Sequence, residues 1–179
     1  MANKYLKLNT STGRPTQQEA TVTSGGSGDA GKIIALDAAG KLDITVMPVG
    51  IGAETQVVTA SEALTAGQFV QVYDNAGTAS ARKALATDLT KPATGYVVDS
   101  AASGSVTVYT DGVNAYIPVG AFVAADVGKQ VFLSASVSGA VVLAPPSSAG
   151  NLLQKLGKIT EVGATYIKVA IDFGDEIEV

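Results

Sequence analysis

Carboxylates, hydroxyls and amines are the side chains of this chain that could do chemistry, because its 179 residues include no histidine and no cysteine. A Ser-His-Asp triad needs an imidazole to carry the proton, and a thiol nucleophile needs a cysteine. Structural zinc sites draw on the same two residue types. The composition therefore predicts no catalytic residue, no cofactor and no metal site.

Carboxylates are the one catalytic resource left, with sixteen aspartates and glutamates in the chain. A glycosidase needs only two of them, about 5 to 10 Å apart, so a carboxylate-dependent hydrolase is kept as a third hypothesis. The six tyrosines and four phenylalanines are too scattered to suggest sugar platforms. Four acidic residues near the end could offer oxygens to calcium, but they lack an EF-hand pattern and are typical of a solvated tail. These four are Asp172, Asp175, Glu176 and Glu178.

A glycine-rich segment matches two nucleotide-binding patterns. Residues 26–31 fit G-x-G-x-x-G, and Lys32 extends the match to the start of a phosphate-binding loop. Both patterns need a buried strand before the glycines and a helix after them, whose N-terminal amides meet the phosphate. Here polar residues precede the glycines, and Ile33 stands where a magnesium-binding Ser or Thr belongs. We interpret the glycines as a flexible hinge.

The net charge and the hydropathy of the chain argue against two classes of partner, nucleic acids and membranes. The net charge is −4 and the chain has no cluster of basic residues, whereas nucleic-acid binding relies on a basic stripe. No stretch approaches the roughly 20 apolar residues of a membrane span. We therefore expect no direct contact with nucleic acid and none with a membrane.

The first part of the chain is predicted to be a long extended arm, because residues 1–30 are polar, turn-prone and without apolar periodicity. One hairpin is predicted near residues 33–46, where two apolar segments flank a turn. Glycines and Pro48 then interrupt regular structure. The predicted division is an arm over residues 1–52 and a β-barrel domain over residues 53–179.

The body is predicted to be a compact β-barrel or sandwich, because short apolar segments alternate with turns every 8 to 12 residues or so. Only residues 124–127 suggest a helical turn, so the predicted fold class is all-β. Aromatic residues make up 6% of the chain, which predicts a core of small side chains. The predicted strands are 56–59, 69–73, 79–86, 95–99, 105–110, 115–119, 130–134, 140–144, 153–160 and 165–173.

The arm carries too little apolar surface to hold a shape alone. Ordering its backbone costs roughly 1–2 kcal/mol per residue, so we expect a partner surface to supply the missing burial. Thirty extended residues reach roughly 100 Å. In an assembly with many copies of the chain, the weak contacts of each arm would add up to a strong total attachment. The candidate contact residues are the apolar side chains of this arm: Tyr5, Leu6, Leu8, Ile33, Ile34, Leu36, Leu42, Met47, Pro48 and Ile51.

A series of short sequence blocks runs from the arm into the body. The blocks are residues 31–43, 47–52, 63–70, 93–97, 127–134 and 149–159. Together they resemble the leader and compact β-barrel of capsid decoration proteins of tailed bacteriophages, which are also called cement or head-stabilising proteins. The likeness covers roughly residues 31–172.

This resemblance implies a structural virion protein on the outer surface of an expanded icosahedral capsid. Such a protein bridges neighbouring major capsid subunits and resists the internal pressure of the DNA. The resemblance also implies a small homo-oligomer, more often a trimer. The expected partners are therefore the major capsid protein and further copies of this chain.

A second hypothesis comes from a different class of protein, a β-rich glycan or receptor recognition module of a phage tail or cell surface. It predicts exposed aromatic side chains along a groove, and the candidates are Tyr96, Tyr109, Tyr116 and Tyr166. Tyrosines in strands more often pack against cross-strand neighbours. Capsid retention after deletion of the arm tests the first hypothesis, and a glycan array tests the second.

Overall fold

The computed structural model of the chain describes residues 3–38, 40–47 and 54–179. Internal contacts divide the chain into two compact units, Met1–Gly52 and Ala53–Val179, called here the N-terminal unit and the body. Regular structure in the described residues is β-strand, with short 3₁₀ turns and no α-helix. The all-β fold class is therefore confirmed.

The N-terminal unit begins with a hairpin of two antiparallel strands, β1 (Lys4–Asn9) and β2 (Arg14–Glu19). The turn between them ends at Gly13, whose φ of 66° lies in the left-handed region that glycine adopts readily. In the hairpin Leu8 lies opposite Pro15. Side chains alternate between the two faces of each strand, which places the leucines of β1 on one face.

The position of this hairpin differs from the prediction. The sequence predicted loop or extended chain up to residue 30 and a hairpin near 33–46. In the described residues the hairpin instead lies within the first thirty residues, and residues 33–38 and 40–46 contain no strand. In the segment near residues 33–46, a single parallel bridge joins Ile34 to Thr21, and Ile44–Val46 form a 3₁₀ turn instead of a strand.

Local hydrogen bonds of an aspartate explain the 3₁₀ turn. The carboxylate of Asp43 accepts the backbone N–H of Thr45 at 2.9 Å and the hydroxyl of the same residue at 2.5 Å. Such short-range bonds compete with a strand ladder for the backbone groups. The apolar alternation in this segment therefore does not produce a strand.

The first half of the body forms a closed five-stranded barrel. Around the barrel the strand order is β3, β5, β4, β6, β7, and a short parallel pairing between β3 and β5 completes the circle. Closure leaves no unpaired edge in this sheet. The strands are β3 (Thr55–Ala60), β4 (Phe69–Asn75), β5 (Thr78–Lys83), β6 (Gly95–Val97) and β7 (Gly104–Tyr109).

Small aliphatic side chains fill the barrel, as the composition predicted. A five-stranded barrel has a narrow interior, which valine and alanine fill without leaving space for a ligand. The buried cluster consists of Val58, Ala60, Leu64, Val70, Ala81, Val97, Val106 and Val108.

The second half of the body forms an open five-stranded sheet in the order β10, β9, β12, β13, β8, together with a two-stranded pair of β11 and β14. A second buried cluster, with Phe69, Leu133, Leu156 and Ile159 among its members, packs under this sheet. The strands are β8 (Val113–Pro118), β9 (Gln130–Leu133), β10 (Val141–Val142), β11 (Leu152–Leu153), β12 (Lys155–Val162), β13 (Tyr166–Ile171) and β14 (Ile177–Glu178).

Each of the ten predicted body strands overlaps an observed strand. The predicted helical turn is also present, as a 3₁₀ turn at Ala124–Asp126. The sequence did not predict β14, and it merged β11 with β12.

Two buried amides tie distant segments of the body together. The side chain of Gln154 accepts the N–H of Ala93 and donates to its carbonyl, both at 2.8 Å. Asn114 on β8 donates to the carbonyl of Gly67 at 2.9 Å, in the loop that leads into the barrel strand β4. Both amides are thus hydrogen-bonded although they are buried, as buried polar groups must be.

Candidate functional site

The N-terminal unit has an exposed apolar surface, and those of its residues that the structure describes form no buried core. None of its side chains with described burial is buried. Leu6 and Leu8 are 74% and 61% exposed, and Ile33, Ile34, Leu36 and Leu42 are each about half exposed. Because large apolar side chains are normally covered in a folded unit, this surface is the main candidate for a contact with a partner.

The hairpin places the candidate contact residues of β1 on two different faces. Leu6 and Leu8 are two residues apart on β1 and therefore share one face. Tyr5 lies on the opposite face and is half-buried, and its hydroxyl oxygen accepts the N–H of Ile33 at 3.3 Å. The face with the two leucines is more exposed than the face with the tyrosine, so it is the better candidate for a partner contact.

A cleft in the same unit brings two other predicted residues together. Ile34 and Met47 both line this cleft, which has a volume of about 410 Å³. Polar residues missed by the sequence reasoning, including Ser24 and Thr45, also line it. The N–H of Ser24 donates to the hydroxyl of Thr45 at 2.8 Å, so these polar groups stabilise the fold of the unit.

The remaining predicted contact residues are not gathered into one site. Leu36 and Leu42 are exposed but do not line the cleft. Pro48 and Ile51 lie outside the described residues.

The glycine-rich segment is folded around its own aspartate. Asp29 lies in a three-residue 3₁₀ turn, and its carboxylate accepts the N–H of Gly25 at 2.5 Å and the ammonium of Lys32 at 2.7 Å. The bond from Lys32 is the main reason that the pKa of Asp29 lies below its ordinary value, and the same bond raises the pKa of Lys32. The lysine that a phosphate loop would use is therefore occupied, and no helix follows it. The segment expected to be a flexible hinge thus contains a 3₁₀ turn held by local hydrogen bonds.

The tyrosines proposed for glycan binding divide into two pairs. Tyr96 is buried, donates to the carbonyl of Asp111 at 3.0 Å, and stacks on Tyr109 at a ring distance of 5.6 Å. Burial raises the pKa of Tyr96 to about 12. Tyr116 and Tyr166 are 44% and 50% exposed, on the solvent face of the neighbouring strands β8 and β13.

The acidic residues that the structure describes were the candidates for a metal site. In the part of the chain that the structure describes, no three acidic residues are grouped closely enough to hold a metal ion. Asp172, one of the calcium candidates, forms an ion pair with Lys155 at 2.6 Å. The buried Asp126 binds Lys129 at 2.8 Å, and this bond is the main reason that its pKa is lowered.

The body contains an apolar cavity of about 660 Å³ that sequence reasoning missed. Three segments that are distant in sequence line it, at residues 65–68, 117–122 and 137–144, and none of the lining residues is charged. Ile117, Phe122 and Val141 contribute apolar surface. Because the cavity arises only when the segments fold together, no local sequence pattern could have predicted it.

Comparison with protein-family models, curated proteins and solved structures finds no match to this chain. Within the described residues, no helix has the length and apolar character needed to cross a membrane.

Proposed function

We propose that this chain is a structural virion protein that binds the outer surface of a bacteriophage capsid. In this proposal it acts without catalysis or a cofactor, and its N-terminal arm, residues 1–52, bridges neighbouring major capsid subunits and so stabilises the shell. The body carries the arm and adds its own bulk to the capsid surface. The protein works as a homo-oligomer, with a trimer favoured by the family resemblance.

The observation that supports this proposal most is the missing core of the N-terminal unit. Its large apolar side chains are exposed, and none of its described side chains is buried. Covering one such side chain contributes about 1 kcal/mol or more. A partner surface that covers several of them gains useful affinity, and many copies on one particle add to the total.

The second support is the character of the body. Its strands form a closed barrel and a sheet, each with a buried apolar cluster. Such a rigid body suits a protein that must hold its shape on a particle. The resemblance of residues 31–172 to capsid decoration proteins, noted from the sequence, points the same way.

Retention on expanded capsids tests the proposal. The full chain and a chain lacking residues 2–52 are mixed with capsids and sedimented, and the proposal predicts that the deleted chain stays in the supernatant. Unchanged occupancy of the deleted chain would remove the arm from the mechanism.

A matched pair of point variants makes the test sharper. Leu6→Asp places a charge on the leucine face of β1, and Val57→Asp places one at a similarly exposed position of the barrel, 67% against 74%. We expect Leu6→Asp to weaken capsid retention about tenfold, with Val57→Asp close to wild type. Equal losses in both variants would speak against a specific role for the arm.

A second candidate function is glycan recognition, which one observation favours. Tyr116 and Tyr166 present aromatic surface with polar tips on one face of the sheet. Reproducible hits on a glycan array, lost in Tyr116→Ala and Tyr166→Ala, would support this candidate. An array without hits would remove it.

A further inference from the structure

The outer edge of β1 is an unpaired sheet edge. The N–H of Ala20 donates to the carbonyl of Asn3 at 2.8 Å, so these two residues form a hydrogen-bonded pair at the end of the hairpin. Hydrogen-bonded and non-hydrogen-bonded pairs alternate along an antiparallel ladder. The backbone groups of Lys4, Leu6 and Leu8 therefore point away from β2, and no described strand pairs with them.

A proline supports the same alternation and distinguishes the two edges of the hairpin. Pro15 lies opposite Leu8 in a non-hydrogen-bonded pair, in which the two residues exchange no backbone hydrogen bonds. Its missing N–H would therefore have pointed outward, away from β1. The outer edge of β2 therefore lacks one hydrogen-bond donor. The outer edge of β1 keeps all of its donors, which makes it the edge to which a further strand would add.

The outer edge of β14, in the body, is also unpaired in the described residues. On its inner side the N–H of Val179 donates to the carbonyl of Asn151 at 2.9 Å. By the same alternation Glu178 forms a non-hydrogen-bonded pair with Leu152, and the N–H of Leu152 indeed donates elsewhere, to Ala86 at 2.7 Å. The backbone groups of Glu178 thus point outward from β11, toward solvent.

These two edges carry opposite charges. Lys4 and Lys7 lie on β1, whereas Asp175, Glu176 and Glu178 lie in and just before β14. None of the five forms an ion pair with a described residue, although six other lysines do. A basic strand edge and an acidic strand edge, each without a partner, are complementary surfaces.

We propose that β1 of one copy of this chain adds antiparallel to the outer edge of β14 of a second copy. One register places Lys4 opposite Glu178, and it places Lys7 opposite Asp175 when the added strand continues past the two residues of β14. In this register the outward backbone groups of Lys4 and Glu178 face each other and can form a hydrogen-bonded pair. Opposite charges directly across a strand pair stabilise it, and strand addition is a general mode of peptide recognition.

The same register pairs an aromatic with a β-branched side chain. Tyr5 lies opposite Ile177, between the two ion pairs. Ile177 is 54% exposed in the single chain, so the added strand covers apolar surface as well as charge. Aromatic and β-branched residues are favourable cross-strand partners.

This contact is heterologous, because each copy offers one β1 edge and one β14 edge. Contacts of this kind build closed rings when the rotation closes, and open chains when it does not. The inference goes beyond capsid binding, since it states how copies of the chain join one another. It is measured on the isolated protein, so its failure leaves the proposed capsid contact untouched.

Charge reversal in the full chain tests the contact by analytical ultracentrifugation at low ionic strength. Wild type is expected to self-associate reversibly. One variant carries Lys4→Glu and Lys7→Glu, and the other carries Asp175→Lys and Glu178→Lys. Each variant alone sets like charges against each other, and we expect its dissociation constant to rise about tenfold or more.

An equimolar mixture of the two variants is the decisive sample. In the mixture each acidic β1 meets a basic β14 and each basic β1 meets an acidic β14, so association should return, with the two variants alternating in dimers, open chains or even-membered rings. This recovery also excludes misfolding as the cause of the loss. Lys158→Glu, at a body lysine without an ion pair, is the control and should associate like wild type. A monomeric wild type, variants that associate like wild type, or a mixture that stays monomeric would each overturn the proposal.

Discussion

At the scale of single residues, the body depends on a few positions where backbone from distant segments comes into close contact. Gly67 precedes β4, takes a φ of 89°, and accepts a hydrogen bond from Asn114 on β8. A Cβ atom built on Gly67 would overlap the carbonyl oxygen of Tyr116. Glycine is therefore required here both by the backbone angle and by the lack of space.

Substitution of this glycine should be far more costly than substitution of an unhindered one. Gly67→Ala combines an unfavourable φ with a steric overlap, and we expect it to lose about 3 kcal/mol or more of the free energy of unfolding. Gly77 has a similar φ of 86° but open space around it, so Gly77→Ala should lose only about 1 kcal/mol. Urea unfolding of both variants measures the difference, and equal losses would contradict this description of the contact.

A buried amide is the second single-residue requirement. Gln154→Leu would leave the N–H and the carbonyl of Ala93 without their partner, and we expect a loss of about 2–5 kcal/mol. Gln17→Leu changes the same side chain at an exposed position of β2 and should stay within about 0.5 kcal/mol of wild type. Thermal unfolding with calorimetry compares the two variants. A tolerated Gln154→Leu would show that the amide pair is not needed.

Asp88 gives the body a predictable response to acid. Hydrogen bonds from Thr90, with the neighbouring Lys91, lower the pKa of Asp88 from 3.8 to about 2. A carboxylate with a lowered pKa stabilises the folded state above its unfolded pKa, and this stability is lost as the pH falls toward the folded value. Asp88→Asn should therefore be less stable than wild type at pH 7, and the difference should shrink between about pH 4 and pH 2. A difference that stays constant over this range of pH would contradict the assignment.

At the scale of elements, turn chemistry and apolar patterning were enough to predict where most strands of the body lie. Phe69–Asn75 and Thr78–Lys83 flank a glycine turn. In Tyr166–Ile171 the alternation of apolar and polar residues matches the buried and exposed positions at the start of the strand. What the sequence could not give is which strands become neighbours. The closure between β3 and β5 depends on a parallel pairing across twenty residues of chain, and no local pattern encodes it.

The hairpin of the N-terminal unit shows where local reasoning fails. The strand β2 has almost no apolar residues, so its composition resembles a loop, although its backbone pairs regularly with β1. In residues 33–46 the error is reversed, because their apolar alternation predicts strands that do not form. The carboxylate of Asp43 instead accepts a hydrogen bond from the N–H of Thr45. The candidate contact residues could be chosen from the sequence because they are apolar. That Leu6 and Leu8 lie on one face of β1 and Tyr5 on the other became known only from the hairpin in the structure.

At the scale of the whole molecule, apolar side chains are distributed unequally between the two units. The body buries many aliphatic residues in two clusters while exposing others such as Val57 and Ile177, whereas no side chain of the N-terminal unit with described burial is buried. A unit with so little buried apolar surface would gain stability if a partner covered its exposed side chains. This difference between the units is the observation that motivates the proposed capsid contact.

Electron cryo-microscopy of capsids saturated with the full chain tests this account most directly. It predicts density for the body on the outer surface, with residues 1–52 lying across more than one major capsid subunit and Leu6 and Leu8 covered. Capsids without added density, or density in which residues 1–52 touch no capsid subunit, would contradict it.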